Sequence, residues 1–393
     1  MPATISRGIR APIIRQGDDI VKIVADSVLE TAENEHFELH TRDVIAVTEA
    51  VVARADGNYA TVDQIAQDVR AKLGSTVGVL FPIMSRNRFA ICLRGIARGC
   101  KKIVLQLSYP SDEEGNSLLD EDVLEDSGVN PYSDVLTLDQ FRAHFGAPKH
   151  RFTGVDYVEY YESVVREEGC DFEVLFANRP EAILKLTNSV LVSNIHGRER
   201  TARRLKKAGC ENVLTLCDIL SAPVNGSGYQ PDYGLLGSNK ATETTIKLFP
   251  KNAQAVAEGI QKEILRRTGV KVEAMVYGDG AFKDPVGKIW ELADPVVSPG
   301  FTDGLIGLPN ELKLKYLADN DFAGLSGEAL RDAIRARIRQ KESDLKGQMA
   351  SQGTTPRRLT DLIGSLCDLT SGSGDKGTPI VLVQNYFTNY AEG

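Results

Sequence analysis

The chain has 393 residues, 42% of them hydrophobic and 25% charged, enough for two domains or one elaborated domain around a sizeable core. A net charge of −8 and a pI near 5.4 disfavour broad contact with a nucleic-acid backbone, so an anionic ligand needs a local Lys/Arg pocket or a bridging metal. No run reaches the apolar length of a membrane span and no apolar signal region opens the chain. The six cysteines are scattered without a C-x-x-C pair, so a reduced cytoplasmic protein is expected.

Residues 10–19 read as an extended piece entering a helix over residues 20–31, capped by Asp18 or Asp19, with Ile20, Ile23, Val24 and Val28 at helical spacing. A buried strand is expected at 43–49 and an amphipathic helix at 61–73. An apolar helical run follows Ser85-Arg86-Asn87-Arg88, and another strand is expected at 101–107. From 109 to about 154 the chain is acidic and reads as loop-rich; such a run is either a solvated face or a cation site. Strands at 174–177 and 189–193, a basic helix at 197–207 and a strand at 213–217 follow, the last three in the order of an α/β unit. Residues 221–233, rich in Pro, Gly, Ser and Asn, mark an internal boundary. Beyond it come a strand at 244–249, a helix at 253–268, a strand ending at Tyr277, a charged helix at 325–347, a helix at 360–370 and a closing strand at 380–383.

Three places invite chemistry. Gly278-Asp279-Gly280 ends the 274–277 strand, with Lys283 and Asp284 just after it. Two glycines around one carboxylate make either a tight turn whose Asp caps its own backbone or a strand end that holds a divalent cation beside a phosphate. The loop 371–377 packs three glycines with two hydroxyls, Asp375 and Lys376. It is either a flexible surface connection or an anion cradle, but its helix–loop–strand order is not that of a P-loop. His196 opens the basic helix, and Arg86 and Arg88 flank Asn87; each is either a solvated side chain or a phosphate or carboxylate contact. Motifs of serine hydrolases, zinc proteases and Rossmann dehydrogenases are absent.

Four segments in order resemble the γ-glutamyl ligase family that adds glutamate to coenzyme F420. Gln16-Gly17-Asp18-Asp19-Ile20 with the run from Asp43 to Gly57 is similar to that family's Gly-Asp-Asp-Leu and D-V-L-V-V-T-S-K-I-V-S-K-A-E-G pattern. Tyr233-Gly-Leu-Leu-Gly-Ser-Asn239 with Leu248-Phe249-Pro250 resembles A-G-[IV]-D-x-S-N followed by L-L-P. Val276–Gly280 sits where the family has I-I-S-D-T, and residues 369–383 resemble its closing loop and strand. The resemblance implies an α+β fold, with mixed sheets and flanking helices. It implies a ligase-like core from 1–60 and 231–393, and an elaborated or inserted α/β region at 61–230.

It further implies GTP or ATP as cosubstrate, Mg2+ or Mn2+, glutamate or another amino acid joined to a small-molecule carboxylate acceptor, and a homodimer. Carried over by position, Asp279 and Lys283 would be catalytic, and Asp279, Gly280 and Asp284 would lie at the metal. Thr48, Glu49, Arg54, Asn239, Gly372, Ser373, Gly374, Asp375 and Lys376 would lie at the nucleotide. Departures stand beside these matches. Leu236 replaces an expected metal-ligating Asp, Ala50 an expected Lys, and Lys376 an expected Glu; Arg54 keeps a cation, and Asp232, Asp284 or the acidic stretch are candidates for a compensating acid. The readings left open are a ligase for an F420-like acceptor, a folate-type polyglutamate ligase, a nucleotide-binding or regulatory homologue without ligase activity, and a different enzyme on the same scaffold.

Overall fold

The first sixty residues lay down two of the five strands of the main sheet. β1 (Ile5–Ile9) leads through an extended segment into α1 (Ile20–Glu35), whose start is set by Asp19: its carboxylate accepts from the Lys22 amide at 3.0 Å. β2 (Val44–Thr48) is a near-continuous buried run, and Glu49 turns straight into α2 (Glu49–Asp56), which ends on Gly57 in the left-handed region. β3 (Tyr59–Thr61) follows. The computed structural model describes residues 3–151, 153–278, 281–283, 290–292, 298–345, 347–351, 358–372 and 374–392, with backbone only for 281–283 and 290–292.

A second sheet is then wound without interruption. α3 (Val62–Leu73) opens on a capping box between Thr61 and Gln64. It is followed by β4 (Thr76–Leu80), α4 (Phe89–Gly99), β5 (Lys102–Leu107), α5 (Glu121–Ser127), β6 (Leu136–Thr137), α6 (Leu138–Phe145) and α7 (Tyr157–Glu167). β7 (Asp171–Phe176), β8 (Ser189–Val192), α8 (Arg198–Lys207) and β9 (Asn212–Thr215) complete it. The spatial order is β6-β7-β5-β4-β8-β9, with every pair parallel except β6–β7. The chain starts in the middle, runs outward to β7, then returns to lay β8 on the other side of β4. This is a doubly wound sheet whose direction reverses between β4 and β8. α3, α4, α6 and α7 cover one face, and α8 with the turn Pro180–Lys185 covers the other. Gly95 and Gly99 let α4 sink onto α3: a Cβ on Gly95 would sit 2.6 Å from Ile65, and one on Gly99 2.7 Å from the Ala66 carbonyl.

The acidic stretch is more ordered than its composition suggests, since α5, β6 and α6 lie within it. α7 was not anticipated either, although Tyr157, Tyr161, Val164 and Val165 are buried at helical spacing. Asp112 is buried and accepts from the Met84 amide at 2.8 Å, the Glu114 amide at 3.0 Å and both the amide and the side chain of Asn116 at 2.8 Å. Burial nonetheless pushes its carboxyl up to about 6 from 3.8, with those donors opposing the rise. Because the folded value is the higher one, Asp112 stabilises the fold fully below about pH 4 and loses that contribution as pH rises through about 6. Urea midpoints of Asp112→Asn measured from pH 4 to 7 are expected to fall less with rising pH than those of the parent. The difference should be on the order of 3 kcal/mol across the window. Identical slopes would remove this assignment.

The remaining chain completes the main sheet. β10 (Asn239–Lys240) and β11 (Thr245–Lys247) pair antiparallel, and β11 pairs with β3, making a small three-stranded sheet. α9 (Ala253–Thr268) precedes β12 (Glu273–Tyr277), which lies parallel to β2. The short β13 (Ala281–Lys283) and β14 (Trp290–Leu292) form a hairpin, and β15 (Gly300–Phe301) edges the sheet. A single turn, α10 (Leu314–Tyr316), leads to α11 (Gly327–Arg339), α12 (Leu359–Thr370) and β16 (Ile380–Gln384). The charged helix expected over 325–347 stops at Arg339; further on, the Leu345 amide donates to Asn310 Oδ1 at 3.1 Å instead of continuing a helix. The five-stranded order is β1-β16-β2-β12-β15, with α1 and α9 on one face and α12 on the other. The fold is α+β, with mixed sheets flanked by helices. No helix among the described residues is long and apolar enough to cross a membrane.

Candidate active-site cleft

Strand direction decides what meets at one end of the main sheet. β2 and β12 run parallel and finish side by side, Tyr277 opposite Thr48. β16 runs the other way and begins at this end, with Ile380 opposite Val47, so the loop before it arrives here. β1 pairs antiparallel with β16, Ile9 opposite Ile380, so Ala11–Ile14 leaves here too. The Thr48 amide donates to the Pro379 carbonyl at 3.0 Å, and Ala11 to Gly377 at 3.3 Å, stitching the segments together. The β3–β11–β10 sheet stands opposite. Between them lies a cleft of about 870 Å³, within the range of small-molecule sites.

Its polar groups come from all of these segments. Thr48 precedes α2 in an extended conformation and its side chain caps no amide, so it leaves the helix start uncapped on the cleft side where Ala50 and Val51 lie. Arg54, Lys240 and Lys247 supply cations, while Glu49 and Asp368 are the carboxylates among the described lining residues. Lys247 Nζ stands 2.7 Å from both oxygens of Glu49, and both residues are less than a tenth exposed. Tyr277 closes the floor beside Gly278; burial pushes its phenol far above the usual range, so it stays neutral.

Of the residues proposed from sequence, Thr48, Glu49, Arg54 and Gly372 line this cleft, and β12 delivers Gly278 to it. Asp279, Gly280, Asp284 and Ser373 lie outside the described residues, as does the side chain of Lys283. Asn239 is occupied in the β10–β11 ladder opposite Lys247; its neighbour Lys240 faces the cleft. Gly374 and Asp375 are exposed in the loop. Lys376 folds back over Gly372, where a Cβ would come 2.5 Å from its Cδ, and lines a neighbouring cavity of about 510 Å³ with Arg10 and Glu35. Neither Asp232 nor the acidic stretch reaches the cleft lining, and His196 lies elsewhere, 3.0 Å from Glu114 above the doubly wound sheet.

The departures from the family pattern have structural reasons. Leu236 is 1% exposed and packs with Leu235 against Phe89, Cys92, Ile195 and Leu216, around a void of only about 20 Å³ whose lining also includes Arg88, Ser193 and Ser238. These neighbours cluster where β4, β8 and β9 end, so the chain after residue 233 plugs the reversal point of the doubly wound sheet. An apolar side chain is what that place demands, and a metal-ligating acid would be out of place in it. The cation missing at Ala50 is matched by Lys247, which enters the same cleft from the facing sheet. Lys240, Lys247, Tyr59 and Tyr277 escaped the sequence reading. For Lys247 the only local signal is its alternation with buried Ile246, which says that it faces away from that core and nothing more.

The family described as F420-0:Gamma-glutamyl ligase matches residues 8–385, a span that includes the doubly wound sheet, all but the first three residues of the main sheet, and every described residue that lines the cleft. No curated protein matches the chain.

Proposed function

We propose, from the premise that this chain belongs to the F420-0:gamma-glutamyl ligase family, that the cleft is the active site of a nucleotide- and metal-dependent ligase joining glutamate to a small carboxylate acceptor. The observation that carries this reading is the convergence of the β2 and β12 ends and the 371–379 loop on one cleft. A carboxylate does not condense with an amine near neutral pH. An acceptor oxygen therefore attacks the γ-phosphorus of GTP or ATP, the nucleoside diphosphate leaves, and the acyl phosphate forms. The glutamate amine then attacks the acyl carbon, loses a proton and expels phosphate.

Arg54, Lys240 and Lys247 are placed to neutralise the polyphosphate, and the uncapped start of α2 with the Thr48 hydroxyl offers donors to its oxygens. Neutral Tyr277, 1% exposed with its hydroxyl 3.5 Å from the Cys367 carbonyl, closes the floor without a charge that would repel an anion. Mg2+ or Mn2+, when bound, shields charge on the transferring phosphoryl group. Asp279, which follows the cleft-lining Gly278, is the ligand we assign to it, with Asp284 and the described Asp368 as further donors. A homodimer is part of the same proposal.

Thermal denaturation tests the reading. GTP or ATP with Mg2+ or Mn2+ at a hundredfold excess over Kd is expected to stabilise the protein by about 2.7 kcal/mol, and Asp279→Ala to abolish the metal dependence of that gain. No nucleotide effect would refute the proposal. Leu236 in place of an acid favours a second reading, a nucleotide-binding homologue without turnover. Diphosphate release that requires both an acid acceptor and glutamate separates the first from the second.

A further inference from the structure

We infer that Lys247 is the anion-contacting cation of the cleft and that Glu49 is its positioning partner, neither a nucleotide contact nor a metal ligand. This rests on the ligase reading for the identity of the anion, but the geometry stands apart from it. The two side chains come from positions 198 apart in the chain, one from the first turn of α2 and one from β11. They meet at the corner where the main sheet faces the three-stranded sheet.

Lys247 Nζ lies 2.7 Å from Glu49 Oε1 and 2.7 Å from Oε2, so both carboxylate oxygens are engaged by one ammonium. An ammonium has three donors; two go to Glu49, and the third has no partner among the described residues although Lys247 is only 8% exposed and lines the cleft. The Glu49 carboxylate compensates the desolvated ammonium and aims it.

The neighbouring cations are placed differently. Lys240 is drawn to the exposed Glu243 at 2.5 Å, and Arg54 lies on the last turn of α2. Lys247 is thus the cation whose position the fold fixes. A carboxylate at position 49 would by itself repel a polyphosphate; clamped to Lys247 it presents no net charge, and the unsatisfied donor faces what enters. Each Glu49 oxygen keeps a second lone pair, but with the ammonium already compensating its charge the carboxylate attracts a divalent ion less than a free one would.

Calorimetric titration of the full chain with GTP, ATP and inorganic tripolyphosphate, each with Mg2+, tests this on the parent, Lys247→Met, Lys247→Arg, Glu49→Gln and the Met/Gln double variant. Loss of one charge-assisted hydrogen bond predicts roughly 10- to 100-fold weaker binding in Lys247→Met and a smaller loss in Lys247→Arg. Glu49→Gln should weaken binding several-fold and leave the Mg2+ midpoint unchanged; in the Lys247→Met background it should cause no further loss and instead restore part of the binding, because it removes the stranded carboxylate that repels the anion. The double variant, which leaves no buried charge unpaired, carries the test if Lys247→Met does not fold. The inference is overturned if the double variant binds as tightly as the parent. It is also overturned if Glu49→Gln moves the Mg2+ midpoint and its loss persists without Lys247. Tripolyphosphate binding that depends on Lys247, with no binding of either nucleotide, would retire the nucleotide reading and keep the clamp. Nucleotide binding indifferent to Lys247 would do the reverse, and no binding of any probe would end both.

Discussion

Leu236→Asp is expected to cost up to about 4 to 5 kcal/mol, a large part of the stability of a typical domain. The substitution restores the residue type that the family pattern calls for, yet its surroundings are mostly the side chains of Leu235, Phe89, Cys92, Ile195 and Leu216, with Arg88, Ser193 and Ser238 also on the lining of a void of about 20 Å³. Two losses add. The leucine gives up roughly 2 kcal/mol of apolar burial, and the new carboxyl incurs the desolvation of a buried acid, offset only so far as Arg88, Ser193 and Ser238 on the same lining reach it. Urea denaturation at pH 7 reads the effect, with Leu236→Met as a volume control that should stay within about 1.5 kcal/mol. Should Leu236→Asp prove as stable as the parent and gain affinity for Mn2+, position 236 opens on a metal site and the packing account fails.

Lys247→Met is the other large effect. Removing one member of a buried ion pair leaves Glu49 uncompensated, which costs about 3 to 5 kcal/mol. Adding Glu49→Gln should return most of that loss, because the double variant leaves no charge stranded. The two single variants and the double form a thermodynamic cycle whose coupling term is expected to exceed about 2 kcal/mol. A coupling near zero in urea melts would mean that the two charges are solvated and independent. That result would also weaken the case for Glu49 as a positioning residue.

The sequence reading located most of the elements but not their limits. A cap at Asp18 or Asp19 was legible because such a partner lies within three residues, and the structure selects Asp19, which accepts from the Lys22 amide. β5, β12 and β16 were legible because each is a short apolar run followed by a turn signal, and β2 because it is a short apolar run, although it passes straight into α2. The acidic stretch misled: its charge density hid α5 and α6, whose buried residues are few, Leu124 in one and Phe141 in the other. Thr48, Glu49, Arg54 and Gly372 were identified by matching a pattern, not by any local property, and they do share a cleft. Lys247 matched no pattern and was passed over.

What the sequence determined alone is therefore local: helix starts, glycine turns, strand character, and the apolar faces that needed cover. These depend on backbone preferences and periodicities that act within one or two turns of chain. Which strand ends coincide was settled only in three dimensions. β2 and β12 are parallel neighbours although more than two hundred residues separate them, because a sheet pairs whichever segments together bury the most apolar surface. The same long-range burial put Leu236 into the plug of the second sheet and brought Lys247 to Glu49, and no window of sequence contains both halves of either contact.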